Sequence, residues 1–324
     1  MQISADDTAL QPQLMAEDWC GLGWGPWVPL EREAVRRTVP LLPGVYRIRR
    51  DGGNIIRFVY IGQTSRTLRE RLLSLAAGVN GNMCPFNDPH TAAPHLWLLH
   101  KRDGVRFECS CMPVLGDVQV LRGTEDMLLW RHRVTTGLST EANYGRFYPG
   151  YTRPTNRWVG RSGRSRTRTP GRRAVPVVEG SAVVDFAISH PPLQGGAAPL
   201  QAPWWQRLPL SEARILPVGP AVYVVYDRGA KAAVYIGETN GLRARAAAHA
   251  SSLWPILEPW LAYLSLPERT PKHVLRELET DLLGWHFWHS GRAPIAQYRE
   301  RQRKAGKDVI LATADASKQY CATR

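Results

Sequence analysis

The chain has 324 residues, 44% of them hydrophobic, and its 42 Lys and Arg against 28 Asp and Glu give a formal net charge of +14. This composition excludes a disordered protein, and the chain is too long to form a single compact core. We therefore expect two domains of ordinary size. The positive balance favours a polyanionic partner, and no basic amphipathic helix with a wide apolar face stands out, so nucleic acid is expected and a membrane is not.

The first twenty residues mix acidic and polar side chains and lack the basic and apolar blocks of a secretory signal. No apolar run has the length needed to cross a membrane. A cytoplasmic protein is therefore expected. The cysteines lack the paired spacing of structural zinc sites, which favours reduced thiols packed as small hydrophobic side chains over a metal or redox site. They are Cys20, Cys84, Cys109, Cys111 and Cys321.

The first half begins with a helix and a hairpin. Residues 30–39 have helical character, and two β-rich runs, 44–49 and 55–61, flank the Gly-containing turn 51–54. Residues 67–77 then predict a helix, because its leucines at positions 68, 72 and 75 form one stripe. A helix from Pro94, a strand over 106–112 and a helix that carries Glu125 complete this half.

An arginine-rich stretch follows. Residues 142–178 contain no acidic residue and accumulate nine arginines among Gly, Ser, Thr and Pro, so we expect a flexible arm that follows a nucleic-acid backbone or serves only as a solvated tether. One short β-like run, 181–188, interrupts a linker over 152–202. The basic residues expected to contact nucleic acid are Arg66, Arg69, Arg161, Arg164, Arg166, Arg168, Arg172 and Arg173.

The second half repeats the scheme. Strands 221–226 and 233–236 flank the turn 227–229, a helix covers 242–250, and another runs from His273 past a glutamate. Pro-Leu pairs that follow tryptophan in both halves indicate that the repeat extends upstream. The tryptophans could stack on unpaired bases, but packing against the first helix of each domain is the favoured interpretation. They are Trp19, Trp24, Trp27, Trp204 and Trp205.

The two halves share one pattern of motifs. Gly44-Val45-Tyr46 corresponds to Ala221-Val222-Tyr223, and Tyr60-Ile61-Gly62 corresponds to Tyr235-Ile236-Gly237. Later residues keep the same intervals, with 12 positions from glutamate to glycine and 18 from glutamate to an amide residue in both halves. They are Glu125, Gly137 and Asn143 in the first half and Glu279, Gly291 and Gln297 in the second.

These residue types suit phosphodiester hydrolysis. The reaction needs a Lewis acid on the phosphate, a cation to stabilise the charge that develops on its oxygens, and a group that deprotonates water. A glutamate with a divalent ion, an arginine and tyrosines can supply these functions. Each half offers one matched glutamate, so one metal ion per site is expected rather than a pair.

Gly44-Val45-Tyr46 with Tyr60-Ile61-Gly62, followed by Arg71, Glu125 and Asn143, resembles the signature of the GIY-YIG nuclease family. The resemblance implies an α/β (α+β) fold, with a small central antiparallel sheet flanked by helices in each of two tandem domains. It further implies one Mg²⁺ or Mn²⁺ per site, held by the glutamate, and hydrolysis of nucleic-acid phosphodiesters.

The resemblance covers residues 40–150 and 217–300. We therefore expect domains at 1–151 and 203–324, separated by the basic linker 152–202. The whole chain would then act as a covalent pseudo-dimer, monomeric in solution, in which each module cuts one strand of double-stranded DNA.

For the first site, the resemblance implies that Tyr46 and Tyr60 position or activate the attacking water and that Arg71 binds the scissile phosphate. Glu125 would hold the metal, and Asn143 would support the site. Arg69 and Arg66 are rivals of Arg71, because the first loop has one extra residue.

For the second site, the matching residues are Tyr223, Tyr235, Arg245, Glu279 and Gln297. Many family members place a histidine four residues beyond the arginine, and His249 takes that place. The first half has Leu75 there, and His90 is a candidate substitute. Glu277 competes with Glu279, and Glu238 adds an acid that could repel phosphate or help to bind metal.

Two alternatives to a nuclease with two live sites stay open. One is a nucleic-acid-binding protein in which one module cuts and the other serves for docking, or in which neither cuts. The other is a pair of unrelated basic α/β domains that form a scaffold for RNA. The choice among duplex DNA, branched DNA and RNA is also open, with the loop 83–94 and the arginine arm as candidate sources of specificity.

Overall fold

A computed structural model describes residues 13–52, 57–85, 92–144, 205–230 and 232–298, together with the backbone of four short strands, 155–159, 165–169, 302–304 and 307–309. The chain divides into two compact units. The first consists of Met1–Asp117 with Leu128–Pro192, and the second of Val118–Met127 with Leu193–Arg324. Within the described ranges, no helix is long and apolar enough to cross a membrane.

The first unit contains a four-stranded antiparallel sheet with the strand order β1-β4-β2-β3. Its strands are β1 (Val28–Pro29), β2 (Gly44–Arg50), β3 (Tyr60–Thr64) and β4 (Phe107–Pro113). Its helices are a single 3₁₀ turn (Trp19–Gly21), α1 (Arg32–Thr38), α2 (Leu68–Asn80), α3 (Ala93–Asp103) and the second part of α4 (Val118–Thr136), from Leu128 onwards. The strands β5 (Thr155–Val159) and β6 (Ser165–Thr169) form a separate two-stranded ribbon.

The second unit contains a sheet with the corresponding order, β7-β10-β8-β9, and every neighbouring pair is antiparallel. Its strands are β7 (Gln206–Pro209), β8 (Ala221–Asp227), β9 (Ala232–Thr239) and β10 (Pro259–Ser265). A 3₁₀ helix (Leu210–Ile215), α5 (Leu242–Ala250) and α6 (Lys272–Ser290) complete it with a short ribbon of β11 (Gln302–Lys304) and β12 (Lys307–Val309). The predicted fold class, an antiparallel sheet flanked by helices in each of two units, is confirmed.

Local sequence explains the elements that carry the sites. In β8, Val222, Val224 and Tyr226 pack in one cluster with α6, whereas Tyr223 and Val225 pack in another with α5, so the central strand is buried on both faces. In α2, the predicted leucine stripe is buried. The Thr67 hydroxyl accepts a hydrogen bond from the Glu70 amide at 3.2 Å and caps the helix N-terminus.

The expected flexible arm contains ten residues with strand backbone, which the sequence did not predict. Residues 155–159 and 165–169 pair as an antiparallel ribbon, with Asn156 opposite Arg168 and Trp158 opposite Arg166. Threonine, tryptophan and valine favour extended backbone, which outweighs the charge that suggested a disordered arm. The rest of the predicted linker, including the β-like run at 181–188, lies outside the described residues.

The predicted tryptophans of the first unit, Trp19, Trp24 and Trp27, pack round one arginine. The Arg47 guanidinium carbon lies 4.3 Å from the centroid of the Trp24 ring and 4.7 Å from that of Trp27, and its Nη1 donates to the Leu14 carbonyl at 2.8 Å. Burial lowers the pKa of Arg47 to about 9. In the second unit Trp205 lies in the cluster between β8 and α6. The predicted preference for packing over base stacking therefore fits the described tryptophans, with a different partner.

Candidate active sites

The same strand register places one tyrosine of each half against a glycine. Tyr46 is opposite Gly62 in the pair β2/β3, and Tyr223 is opposite Gly237 in the pair β8/β9. A Cβ atom on either glycine would lie 2.6 Å from the hydroxyl oxygen of the facing tyrosine. Glycine is thus required because the phenol crosses directly over the neighbouring strand, which gives the Tyr-Ile-Gly motif a physical reason.

The second tyrosine of each motif lies beside the first. The ring centroids of Tyr46 and Tyr60 are 6.0 Å apart, and those of Tyr223 and Tyr235 are 6.2 Å apart. Both pairs are tilted rather than stacked face to face, as aromatic pairs prefer. The structure therefore brings the two predicted tyrosines together in each unit.

The predicted amide residues hold the Tyr-Ile-Gly strands. Asn143 accepts from the Ile61 amide at 3.0 Å and donates to the Ile61 carbonyl at 2.8 Å, so its side chain pairs with β3 as another strand would. Gln297 accepts from the Ile236 amide at 3.0 Å. The amide function is therefore positional, and the longer glutamine side chain keeps the bond to the strand amide.

The residue after each amide has a left-handed backbone. Tyr144 has φ 61° and Tyr298 has φ 60°, which is uncommon for a bulky side chain and requires support from its surroundings. The preceding glycines, Gly137 and Gly291, end α4 and α6 with φ 65° and 68°. The two chain segments that carry the amides thus follow the same path.

In the first unit, Arg71 is the arginine that reaches the tyrosines. Its Nε lies 3.4 Å from the Tyr46 hydroxyl oxygen. Its rival Arg69 instead donates to the Val39 carbonyl at 2.7 Å, as Arg243 donates to the Leu216 carbonyl at 2.6 Å in the second unit. Arg66 is exposed at the loop before α2. The geometry favours Arg71 for the site and gives Arg69 an anchoring contact.

In the second unit, His249 bonds to the first tyrosine. Its Nε2 lies 2.9 Å from the Tyr223 hydroxyl oxygen, and its ring also contacts Tyr235, at a centroid distance of 5.4 Å. Trp254 also packs against His249: the two ring centroids are 5.3 Å apart, and the Trp254 Nε1 donates to the His249 carbonyl at 2.9 Å. Sequence reasoning missed Trp254, since nothing in the pattern marks a residue after α5.

Tyr223 lies within electrostatic reach of the predicted ionisable groups of the second site. Burial, then Tyr235, raises its pKa well above the ordinary value, with Glu279 and Glu238 acting in the same direction and Arg245 against it. The phenol therefore keeps its proton near neutral pH, and it can donate that proton to Nε2 of His249 when this nitrogen is unprotonated. Arg245 itself is exposed on α5 and accessible to a bound phosphate.

Glu279 is the half-buried carboxylate of the second site. Burial, then the like charges of Glu238 and Asp126, raises its pKa to about 8, while Lys272 and Arg276 oppose the shift. Glu238 bonds to Lys272 Nζ at 2.5 Å. The competing Glu277 is fully buried in α6, so the matched spacing and the exposure both favour Glu279.

Glu125, the predicted metal ligand of the first site, lies in the part of α4 that belongs to the second unit. There it acts electrostatically on the Tyr298 phenol. The residues that the first unit gathers are thus Tyr46, Tyr60, Arg71 and Asn143, and the role of Glu125 stays a prediction. Leu75 is fully buried at the place of His249.

The described cysteines are free thiols, and their surroundings disfavour ionisation of the thiol. Burial raises the pKa of Cys20 and of Cys111 to about 11 and that of Cys84 to about 12. Cys109 is fully buried on the same strand as Cys111. These thiols pack as apolar side chains, in agreement with the favoured interpretation of the sequence.

Several predicted residues lie outside the described ones: Cys321, His90, Trp204, Arg161, Arg164, Arg172 and Arg173. Arg166 and Arg168 stand at register positions of β6. No family model, no curated protein and no solved structure matches the chain.

Proposed function

We propose that the chain is a metal-dependent nuclease of the GIY-YIG type and that the second unit holds the cutting site. The observation that carries the proposal is the 2.9 Å contact between Tyr223 and His249, beside Tyr235 and within electrostatic reach of Arg245 and Glu279. A phenol, an imidazole, a guanidinium and a carboxylate are the groups that water activation, charge stabilisation and metal binding require.

The second site suits a single divalent cation. Among the described side chains, no three His, Cys, Asp or Glu residues form a group that could enclose a metal ion. Mg²⁺ and Mn²⁺ tolerate such a site, because they retain waters and use substrate phosphate oxygens beside one or two carboxylates. Glu279 would hold the ion; burial, then the charges of Glu238 and Asp126, raises the pKa of this carboxyl, and a bound cation would favour its ionised form. When bound, the cation supplies Lewis acidity at the phosphate.

The Tyr223–His249 pair provides a path for the proton of the attacking water. As the water oxygen bonds to phosphorus, its proton passes to the phenol oxygen while the phenol proton passes to His249 Nε2. The phosphorus–oxygen ester bond breaks, and the departing oxygen takes a proton from solvent. Arg245 would bind the phosphate and stabilise its developing charge.

Basic surfaces support nucleic acid as the substrate. The net charge of +14 predicts attraction to phosphate backbones that weakens steeply with salt. Each half also ends in a two-stranded ribbon that contains arginine or lysine, β5/β6 after Tyr144 and β11/β12 after Tyr298. Two-stranded ribbons have the width of the major groove of B-DNA, so duplex DNA is the substrate we infer.

A plasmid assay tests the proposal. Supercoiled DNA is incubated with wild type, Glu279→Gln and Glu125→Gln in Mg²⁺, Mn²⁺ or chelator. We expect wild type to yield nicked circles only with metal, and Glu279→Gln to lose ~10³-fold in rate, because the amide cannot hold the cation. Glu268→Gln, at an exposed glutamate outside the predicted site, serves as the matched control and should keep the wild-type rate.

Three outcomes would contradict the proposal. A wild-type protein that binds DNA but cleaves neither plasmid, single strand, branched DNA nor RNA is a non-catalytic binder. Cleavage by Glu279→Gln at the wild-type rate removes the second site from the reaction. Linear product from wild type that turns into nicked circles in Glu125→Gln means that both sites cut.

A further inference from the structure

Ten residues of the first sequence repeat are built into the second unit. The segment Val118–Met127, the N-terminal part of α4, groups with residues 193–324. On this segment, Gln119 Nε2 donates to the Gln297 carbonyl at 3.0 Å, and Asp126 accepts a hydrogen bond from the Tyr298 hydroxyl. The Arg122 guanidinium carbon lies 5.3 Å from the centroid of the Tyr298 ring.

An aromatic ring of α6 lies directly against a glycine of this segment. A Cβ atom on Gly123 would lie 2.1 Å from the Phe287 ring of α6. Only a glycine at this turn of α4 admits that ring without movement. The segment therefore packs against α6 as well as against the Gln297–Tyr298 pair.

The two residues that the segment holds are those that support the second site. Gln297 accepts from the Ile236 amide at 3.0 Å, and Ala296 donates from its amide to the Val234 carbonyl at 2.9 Å, so both bracket Tyr235 on β9. Tyr298 has the left-handed backbone that needs external support. Its hydroxyl and its ring are fixed by Asp126 and Arg122.

We propose that Asp126, with Gln119 and Arg122, is a positioning residue of the second active site. Through Tyr298 and Gln297 it fixes β9, and hence Tyr235 relative to Tyr223 and His249. The site is then assembled from both sequence repeats, although its reacting groups all come from the second. This inference rests on the proposed nuclease function.

Steady-state cleavage by full-length Asp126→Ala, Asp126→Asn and Tyr298→Phe tests it. We expect Asp126→Ala to lower kcat ~10- to 100-fold with KM changed less than ~2-fold, because displaced groups cost rate rather than binding. Asp126→Asn keeps an oxygen that accepts from Tyr298 and should restore kcat to within ~3-fold of wild type. Glu268→Ala, at an exposed glutamate outside the Val118–Met127 segment, is the control and should be unchanged.

Tyr298→Phe removes only the hydroxyl, so it supplies the same test if Asp126→Ala fails to fold, and a matching fall in kcat is expected. Wild-type kcat in Asp126→Ala or in Tyr298→Phe, or a loss in Asp126→Asn equal to that in Asp126→Ala, would overturn the inference. If wild type itself cleaves nothing, the nuclease proposal fails separately. Hydrogen exchange of the Ile236 amide then decides the positioning role: faster exchange in Tyr298→Phe supports it, and unchanged exchange overturns it.

Discussion

The two tyrosine sites have the same scaffold and differ in what the first tyrosine contacts. In the first unit the guanidinium of Arg71 reaches Tyr46, and in the second the imidazole of His249 reaches Tyr223. Guanidinium stays protonated and suits phosphate binding, whereas imidazole can accept and release a proton near neutral pH. Under the proposed function, one side chain on the helix after the hairpin would distinguish a site suited to binding from one suited to cutting.

Exchanging that side chain tests the comparison most strongly. His249→Leu gives the second site the residue that the first has at position 75, and we expect cleavage to fall ~10²- to 10⁴-fold, since the proton acceptor is lost. Leucine fills a matched, buried place in the first unit, so the fold should persist. Cleavage rates on plasmid DNA measure the effect.

His289→Leu is the control for this prediction, because His289 is exposed near the end of α6 and should tolerate the same replacement without loss of rate. Wild-type cleavage by His249→Leu would show that the imidazole contact is packing alone. The difference between the units would then have no catalytic meaning.

Lowering the pH should change the free energy of unfolding of the two units differently. Burial lowers the pKa of His132 to about 3 and of His95 to about 4 in the first unit, and that of His286 to about 4 in the second. The unfolded chain binds protons at these residues near pH 6.5, whereas the folded chain resists them. Their contribution is therefore complete above pH 6.5 and falls as the pH drops towards the folded pKa values.

At ~1.4 kcal/mol per pKa unit, each histidine costs about 2 kcal/mol between pH 6.5 and pH 5, so the first unit should lose about 4 kcal/mol. In the second unit, burial raises the pKa of Glu279 to about 8 and that of Asp126 to about 7, so the folded carboxyls hold protons that the unfolded chain releases. Each of them gains about 2 kcal/mol over the same pH range, which more than offsets the cost of His286, so the second unit should lose no stability. Urea titrations followed by amide hydrogen exchange in each unit measure both changes. His132 accepts a hydrogen bond from the Phe58 amide at 2.9 Å, and His132→Gln should reduce the pH dependence of the first unit only. Equal losses in both units would contradict the assignment.

The smallest contrast concerns the first residue of each Val-Tyr motif. A Cβ on Gly44 would lie 2.2 Å from the Met112 carbonyl oxygen, a backbone atom that cannot yield cheaply, whereas Ala221 is accommodated at the matching position. Gly44→Ala should destabilise by ~1–3 kcal/mol, and Ala221→Gly by no more than ~1 kcal/mol. Shifts in the urea midpoint measure both, and a harmless Gly44→Ala would mean that β4 can move away.

Strong local patterns predicted much of the fold. The second hairpin, the leucine stripe of α2 and the helix Leu242–Ala250 follow from turn residues and apolar periodicity, and the structure agrees with them. The first hairpin is correct in its pairing, but residues 57–59 are not part of its second strand, which begins at Tyr60. The strands β7 and β10 did not stand out, because β10 begins with proline and its run of mixed aromatic and apolar residues has no two-residue alternation. β10 therefore forms because its neighbours in the sheet pair with it, and not because its own sequence favours a strand.

The site was predictable to the extent that it lies in the repeated pattern. Tyr223, Tyr235, His249 and Glu279 occur at recognisable intervals, whereas Trp254 and Asp126 touch the site only through tertiary packing. No local signal marks Asp126, because it stands in the first repeat and its partner is 172 residues away. Spacing within a motif shows which groups can react, and contacts between distant segments show what holds them.

Helix α4 supplies its first part to one compact unit and its second part to the other. During synthesis at ~5–20 residues per second, about 10–30 s separate the appearance of Asp126 from that of Tyr298, 172 residues later. Throughout that interval the leading turns of the helix lack the surface on which they finally rest. If translation stops before residue 298, the first part of α4 therefore lacks its packing partner, even though the whole first sequence repeat has been synthesised.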